Sequence, residues 1–300
     1  MNVFLTELAK KAAERWLTLL VLPGVGWISM LIVARLLRPW PPFDLRPLRS
    51  WLDAQAAQPG NHALAMVLPA SVGLLAAAAG ISLAASALGA ALQWLWALDG
   101  RRPPFSWLLG FRQRRWDRAT EELRTAIAVA ANPDAHGVAP DRAAAEHRAA
   151  EVRRAGLGTS RPERPTWIGE RLRTVTRRAL DGYGLNLELA WPRLWAVLPD
   201  PMRDDLALSA DAYAVAARLT AWGLLYATLA LAWWPAIVLG VVIVLCGWVR
   251  ARAAARVLAE LIETAVDLYL GELAKQLGIT PTTPLGPHTG EDIDRVLRKK

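Results

Sequence analysis

Residues able to transfer protons, attack carbonyls or bind metal are few in this chain and far apart. Histidines stand at His62, His136, His147 and His288, in loop-like stretches or on an exposed helical pattern, with no second ligand at the spacing of a zinc site. Cys246 is the one cysteine and sits in an apolar run, a setting that suits an unreactive thiol; alone it makes neither an intrachain disulfide nor a multi-cysteine metal site. The phosphate-cradling G-x-x-x-x-G-K-[ST] loop, a dinucleotide G-x-G-x-x-G after a strand, H-E-x-x-H and G-x-S-x-G are all absent. The expectation is a non-enzymatic protein with no cofactor and no bound metal.

The charged residues that do cluster suggest surfaces. Arg101, Arg102, Arg112, Arg114, Arg115 and Arg118 follow a long apolar run, opposed there only by Asp99 and Asp117. Loops retained in the cytoplasm carry such an arginine excess near the ends of membrane spans, so orientation accounts for the net charge of +8 and a nucleic-acid partner is not expected. Interleaving with Phe105, Trp107, Phe111 and Trp116 predicts a lipid-interface surface of Arg101, Arg102, Trp107, Arg112, Arg114, Arg115 and Trp116 on anionic headgroups. A second pattern is an acidic stripe, Glu260, Glu263 and Asp267, beside an apolar stripe of Leu258, Leu261, Ala265 and Leu268 on a helix. Those carboxylates face either solvent, arginines of the soluble region, or a partner. Without a histidine among them, metal binding is not expected.

The elements that must position these groups are set by hydrophobicity. The apolar fraction is 54% and the mean hydropathy is positive, with the excess concentrated in residues 16–37, 64–98 and 219–249. A spanning helix needs roughly 20 apolar residues, and each run reaches that length. The first run is too long for a signal-peptide core and lacks an A-x-A-like site before Arg35, so it reads as an uncleaved anchor. The second, as one helix, would be roughly 50 Å long and overshoot a bilayer; two shorter spans are the alternative, though no turn signal divides it. The third contains Trp233-Trp234-Pro235 near its middle and arginines at both ends, which favours a hairpin over one kinked span.

The resulting architecture is all-α: a multi-pass helical membrane protein with about four transmembrane helices and a mainly helical cytoplasmic region. Its expected parts are a cytoplasmic N-terminal tail (1–15), transmembrane helix 1 (16–37), an external proline-rich connector (38–63), and transmembrane helix 2 (64–90). There follow a cytoplasmic helical region (91–209) with a mobile linker at 156–165, transmembrane helices 3 (210–233) and 4 (235–255), an amphipathic cytoplasmic helix (256–279), and a flexible basic tail (280–300). Both termini are expected inside a plasma membrane.

Within the apolar runs 16–37, 64–98 and 219–249 no carboxylate is present, which argues against secondary transport by this chain alone. In the second run Gly73, Ala77, Gly80, Ala84, Ala87 and Ala91 recur at alternating spacings of four and three, a helix-packing seam of small residues. Such a seam lets backbones approach closely, within the chain or in a homo-oligomer, although alanine is abundant enough here to satisfy many frames.

The tract GLNLELAWPRLWAVLPD is too apolar for a free loop and should pack on a partner, on the membrane surface, or in a small domain core. Together with the span pair and VLAELIETAVDLYLGELAKQLG it resembles uncharacterised multi-pass membrane proteins of high-GC actinobacteria over roughly residues 182–279. That resemblance implies a multi-pass plasma-membrane protein and no catalytic residues. The functional expectation is a membrane platform that recruits a cytoplasmic protein through Trp191, Arg193, Trp195, Glu260, Glu263 and Asp267, since aromatic and arginine side chains dominate interface energetics. The alternative is an oligomeric pore-forming or membrane-perturbing effector of a bacterial defence or cell-death system.

Overall fold

A computed structural model of the chain describes residues 21–37, 44–56, 64–100, 103–158, 160–280 and 285–298. Arg101, Arg102, Lys10, Lys11, Arg15, Arg38, Trp40, Phe43, His62, Lys299 and Lys300, with the first part of the run at 16–37, lie outside the described residues. Among those described the chain is all-helical, without a strand. The helices are α1 (Leu22–Leu36), α2 (Arg46–Ala56), α3 (Leu64–Ala97), α4 (Phe105–Ala131), α5 (Pro140–Ala155), α6 (Trp167–Tyr183), α7 (Leu187–Val197), α8 (Asp200–Thr228), α9 (Ala236–Gln276) and α10 (Pro287–Leu297). Among the described residues three stretches are long and apolar enough to cross a membrane, Ser71–Ala97, Asp200–Leu231 and Ala236–Gln276, and Leu22–Leu36 is a shorter apolar helix. The chain divides into one unit of residues 1–93 and 210–254 and another of 94–209 and 255–300.

In the first unit, α8 is the central helix: 39% of its apolar window is buried inside the chain, against 22% for α3 and for α9. A turn over residues 229–235 reverses the chain, and α8 and α9 then run antiparallel with backbones almost touching. A Cβ on Gly240 would stand 2.7 Å from the Ala227 backbone, one on Gly223 2.6 Å from Val244 N, and Gly247 lies against Thr220. Only glycine permits that approach, and in lipid close van der Waals packing of this kind substitutes for a hydrophobic driving force between helices. Trp27 Nε1 of α1 donates to the Leu225 carbonyl at 3.1 Å, while Gly24 abuts the Ala78 backbone of α3. Hydroxyls inside these apolar helices turn back on their own backbones: Ser86 donates to Ser82 O, Thr220 to Ala216 O and Thr228 to Leu225 O. The outward face is apolar, with Leu83, Val238, Val242, Leu245 and Val249 more than half exposed. A patch this continuous is rarely left to water.

The second unit has its own core. Val175 and Ala179 of α6, Leu187, Ala190 and Leu194 of α7, Val266, Leu270 and Leu273 of α9, and Ile293 of α10 are buried together. Helix α6 ends on Gly184 in the left-handed region (φ 67°), where Gly184 N–H reaches Leu180 O and Leu185 N–H reaches Ala179 O. A side chain at Gly184 would collide with the Pro287 carbonyl, so the same residue admits α10.

Two expected boundaries differ from the structure. Much of the supposed flexible basic tail is α10, which buries Thr289, Gly290 and Ile293 and whose Asp294 carboxylate accepts from Asn186 N–H. The second half of the supposed mobile linker is held in place: Pro165 is buried, Pro162 O accepts from Gln113, and Arg161 pairs with Asp117 at 3.0 Å. Proline and arginine gave that stretch a linker's composition, but the Pro162 and Arg164 carbonyls and the Arg161 and Arg164 guanidinium groups find partners.

Candidate functional site

The tryptophan tract is not an open docking face. Asn186 caps α7 by accepting from Leu189 N–H, and from that start the helix turns Leu187, Ala190 and Leu194 inward. Trp191 follows them and packs on both the main core and a smaller cluster of Leu198, Leu206 and Ala265; Trp195 packs on the latter. Their rings sit 6.1 Å apart at 52°. Of the three expected contact residues on this tract only Arg193 is exposed, its guanidinium donating to Leu189 O within the same helix. The tract thus packs as part of a small domain core, one of the expected settings, with Trp191 and Trp195 partly buried.

The acidic stripe is likewise engaged within the chain. Glu263 receives Arg171 at 3.1 Å and Arg178 at 3.0 Å, and Arg171 also lies 3.8 Å from Glu260. Arg171 and Glu263 retain only 18% and 20% side-chain exposure, which makes this pair stronger than an ordinary surface bridge. Asp267 accepts from the Tyr183 hydroxyl at 2.9 Å; burial first, and then that hydrogen bond, raise the Tyr183 phenol above its ordinary value. The stripe joins α9 to α6.

The expected lipid-interface residues separate by helical phase. At 100° per residue, Arg112, Gln113, Trp116, Ala119 and Thr120 form one face of α4. Arg112 donates to Arg164 O at 2.5 Å, Ala119 is buried, and Trp116 lies under the Arg154 guanidinium at 4.0 Å, with Arg154 Nε also donating to Thr120. Arg112 and Trp116 are thus packing residues. Trp107, Arg114 and Arg115 lie on the opposite, open face.

The small-residue seam also needs correction as a packing surface within the chain. Gly73, Ala77, Gly80, Ala84, Ala87 and Ala91 are all exposed, and nothing stands within 4 Å of a Cβ placed on Gly73 or Gly80. The face of α3 that meets neighbours is Ala78, Ser82, Ala85 and Gly89, with Gly89 against the Arg218 backbone. Alanine is so frequent that its spacing carries no phase.

Two residues missed in the sequence organise the end of α3. Its terminal carbonyls lack partners within the helix. Thr166 donates to Trp96 O at 2.5 Å while accepting from Gly169 N–H as the N-cap of α6, and Arg164 donates to Ala97 O at 2.6 Å while pairing with Asp99. A threonine before an amphipathic stretch is a readable cap signal; its second bond, seventy positions back, is not.

Between α4 and α5 lies an open groove of about 600 Å³, floored by Ala126, Val129 and Ala150 and edged by Arg118, Glu122, Glu146 and Arg153. Among the described residues no group of three His, Cys, Asp or Glu side chains is arranged to hold a metal ion. No protein family, curated protein or solved structure is matched by this chain.

Proposed function

We propose that this chain is a non-enzymatic, multi-pass protein of the plasma membrane that serves as a platform for a cytoplasmic protein partner. The observation carrying the reading is that apolar, outward-facing helices continue into a separate helical unit with its own core and an open groove of mixed charge. In this reading Leu22–Leu36 belongs to a fourth span, and both termini are cytoplasmic because the arginines after α3 stay inside. The groove between α4 and α5, rather than the tryptophan tract, receives the partner: its small apolar floor and alternating rims suit an amphipathic helix with charges flanking one apolar stripe.

Two measurements test this. A reporter active only outside the membrane, fused after Lys300, should stay silent. A photoreactive amino acid at the exposed groove position Ala149 should crosslink one defined protein in intact cells, and Ala149→Arg should abolish that protein's co-purification. Reporter signal, or crosslinks confined to lipid and copies of the chain, would reject the platform.

The exposed seam on α3 favours a second reading, an oligomeric pore or membrane-perturbing effector. Liposomes containing the protein would then leak ions, and Gly80→Ile would suppress leak and oligomer together. A platform passes none.

A further inference from the structure

The open face of α4 begins with Trp107, Leu108 and Phe111, which are 73%, 45% and 63% exposed. At 100° per residue Arg114, Arg115 and Arg118 continue the same face over the next two turns. No packing reason holds large rings outward here, because the opposite face of the helix already supplies its contacts through Arg112, Gln113 and Trp116. Trp94, 65% exposed in the last turns of α3, adds a further outward ring, and an open hollow of about 510 Å³ separates it from the start of α4.

Location selects the occupant. The candidate span Ser71–Ala97 ends where Arg164 and Thr166 grip its final carbonyls, and Arg164's own carbonyl accepts from Arg112 of α4. The first turns of α4 are thereby fastened to the end of that span, at the depth where amphipathic rings settle and anionic headgroups lie. The order along the face, rings first and arginines after, matches an apolar boundary followed by phosphate.

We infer that the Trp107, Leu108, Phe111 face of α4 lies on the anionic cytoplasmic leaflet, with Arg114 and Arg115 on lipid phosphates. It is an interfacial contact distinct from the spans, and it rests on reading α3 as a span. Lipid docking would hold the first turns of α4 in place.

The test uses the full chain with Cys246→Ser, reconstituted in nanodiscs of phosphatidylcholine alone or mixed with phosphatidylglycerol. An environment-sensitive label is attached at Phe111→Cys, at Leu83→Cys as a reporter of the span, or at Arg124→Cys as a reference for water. The Phe111 label should be blue-shifted and quenched by spin-labelled lipid in anionic discs. Arg114→Gln and Arg115→Gln should each lower the docked-to-undocked ratio about fivefold. A Phe111 label that behaves like the Arg124 label while Leu83 is quenched overturns the docking and leaves the span reading standing. If the Leu83 label is also in water, the span reading fails and the docking with it. Equal quenching in neutral and anionic discs overturns the requirement for an anionic leaflet. Protection that lipid cannot quench, rising with protein-to-lipid ratio, assigns the face to a second copy instead.

Discussion

Two tracts of this chain mix tryptophan, arginine and proline, and the fold uses them in opposite ways. In α7, Trp191 and Trp195 turn inward against Leu198, Leu206 and Ala265. In α4, Trp107 and Phe111 turn outward while Trp116, on the same helix, turns in beneath Arg154. Composition does not distinguish these tracts. Helical phase relative to the nearest buried neighbours does, so an aromatic–arginine tract marks an interface without saying whether it is internal.

The sharpest way to break this comparison is to remove one ring from each tract. Trp191→Ala, truncating a side chain shared by two clusters, should destabilise the second unit by about 3 kcal/mol or more, whereas Trp107→Ala should stay within about 0.5 kcal/mol. Denaturant unfolding in detergent measures both; equal losses would show that the two tracts do not differ.

The two kinds of glycine in the spans extend the contrast. Gly240→Leu must push against Ala227 and should cost about 1–3 kcal/mol with a loosened α8–α9 hairpin, while Gly80→Ile, whose Cβ meets nothing among the described residues, should leave monomer stability unchanged. Thermal unfolding of monomeric protein in micelles separates them.

Glu263 tests whether the acidic stripe is internal glue. Glu263→Gln leaves Arg171 short of a carboxylate in a largely covered position and should cost about 1–3 kcal/mol, with faster proteolysis between α6 and α9. A neutral result, accompanied by loss of a binding partner, would restore the stripe to an external role.

The smallest effect concerns pH. Hydrogen bonding from Arg161 holds the exposed Asp117 carboxylate below its ordinary 3.8. A depressed folded value contributes stability that is present above the unfolded value and is lost as pH falls through the folded one. Exchange of the amides in residues 160–165, compared at equal intrinsic rate, should therefore be flat between about pH 5 and 8 and quicken only below about 4. Asp117→Asn should remove that acidic step.

What the sequence determined by itself is what depends on counting along one chain. Runs such as residues 64–98 must be helical and apolar, because no other structure satisfies that many backbone groups away from water. The break at Trp233-Trp234-Pro235 was legible because proline cannot continue a helix without losing a hydrogen bond. Tertiary structure alone decided which face of each helix is used. The packed face of α3 lies about 150° around the helix from the seam, because alanine is small in every direction and Ala78 differs from Ala77 only by what stands opposite. Residues 156–165 read as a linker because the partners of Arg164 and Thr166 lie far back at Ala97 and Trp96, and a hydrogen bond across that distance leaves no local spacing to read.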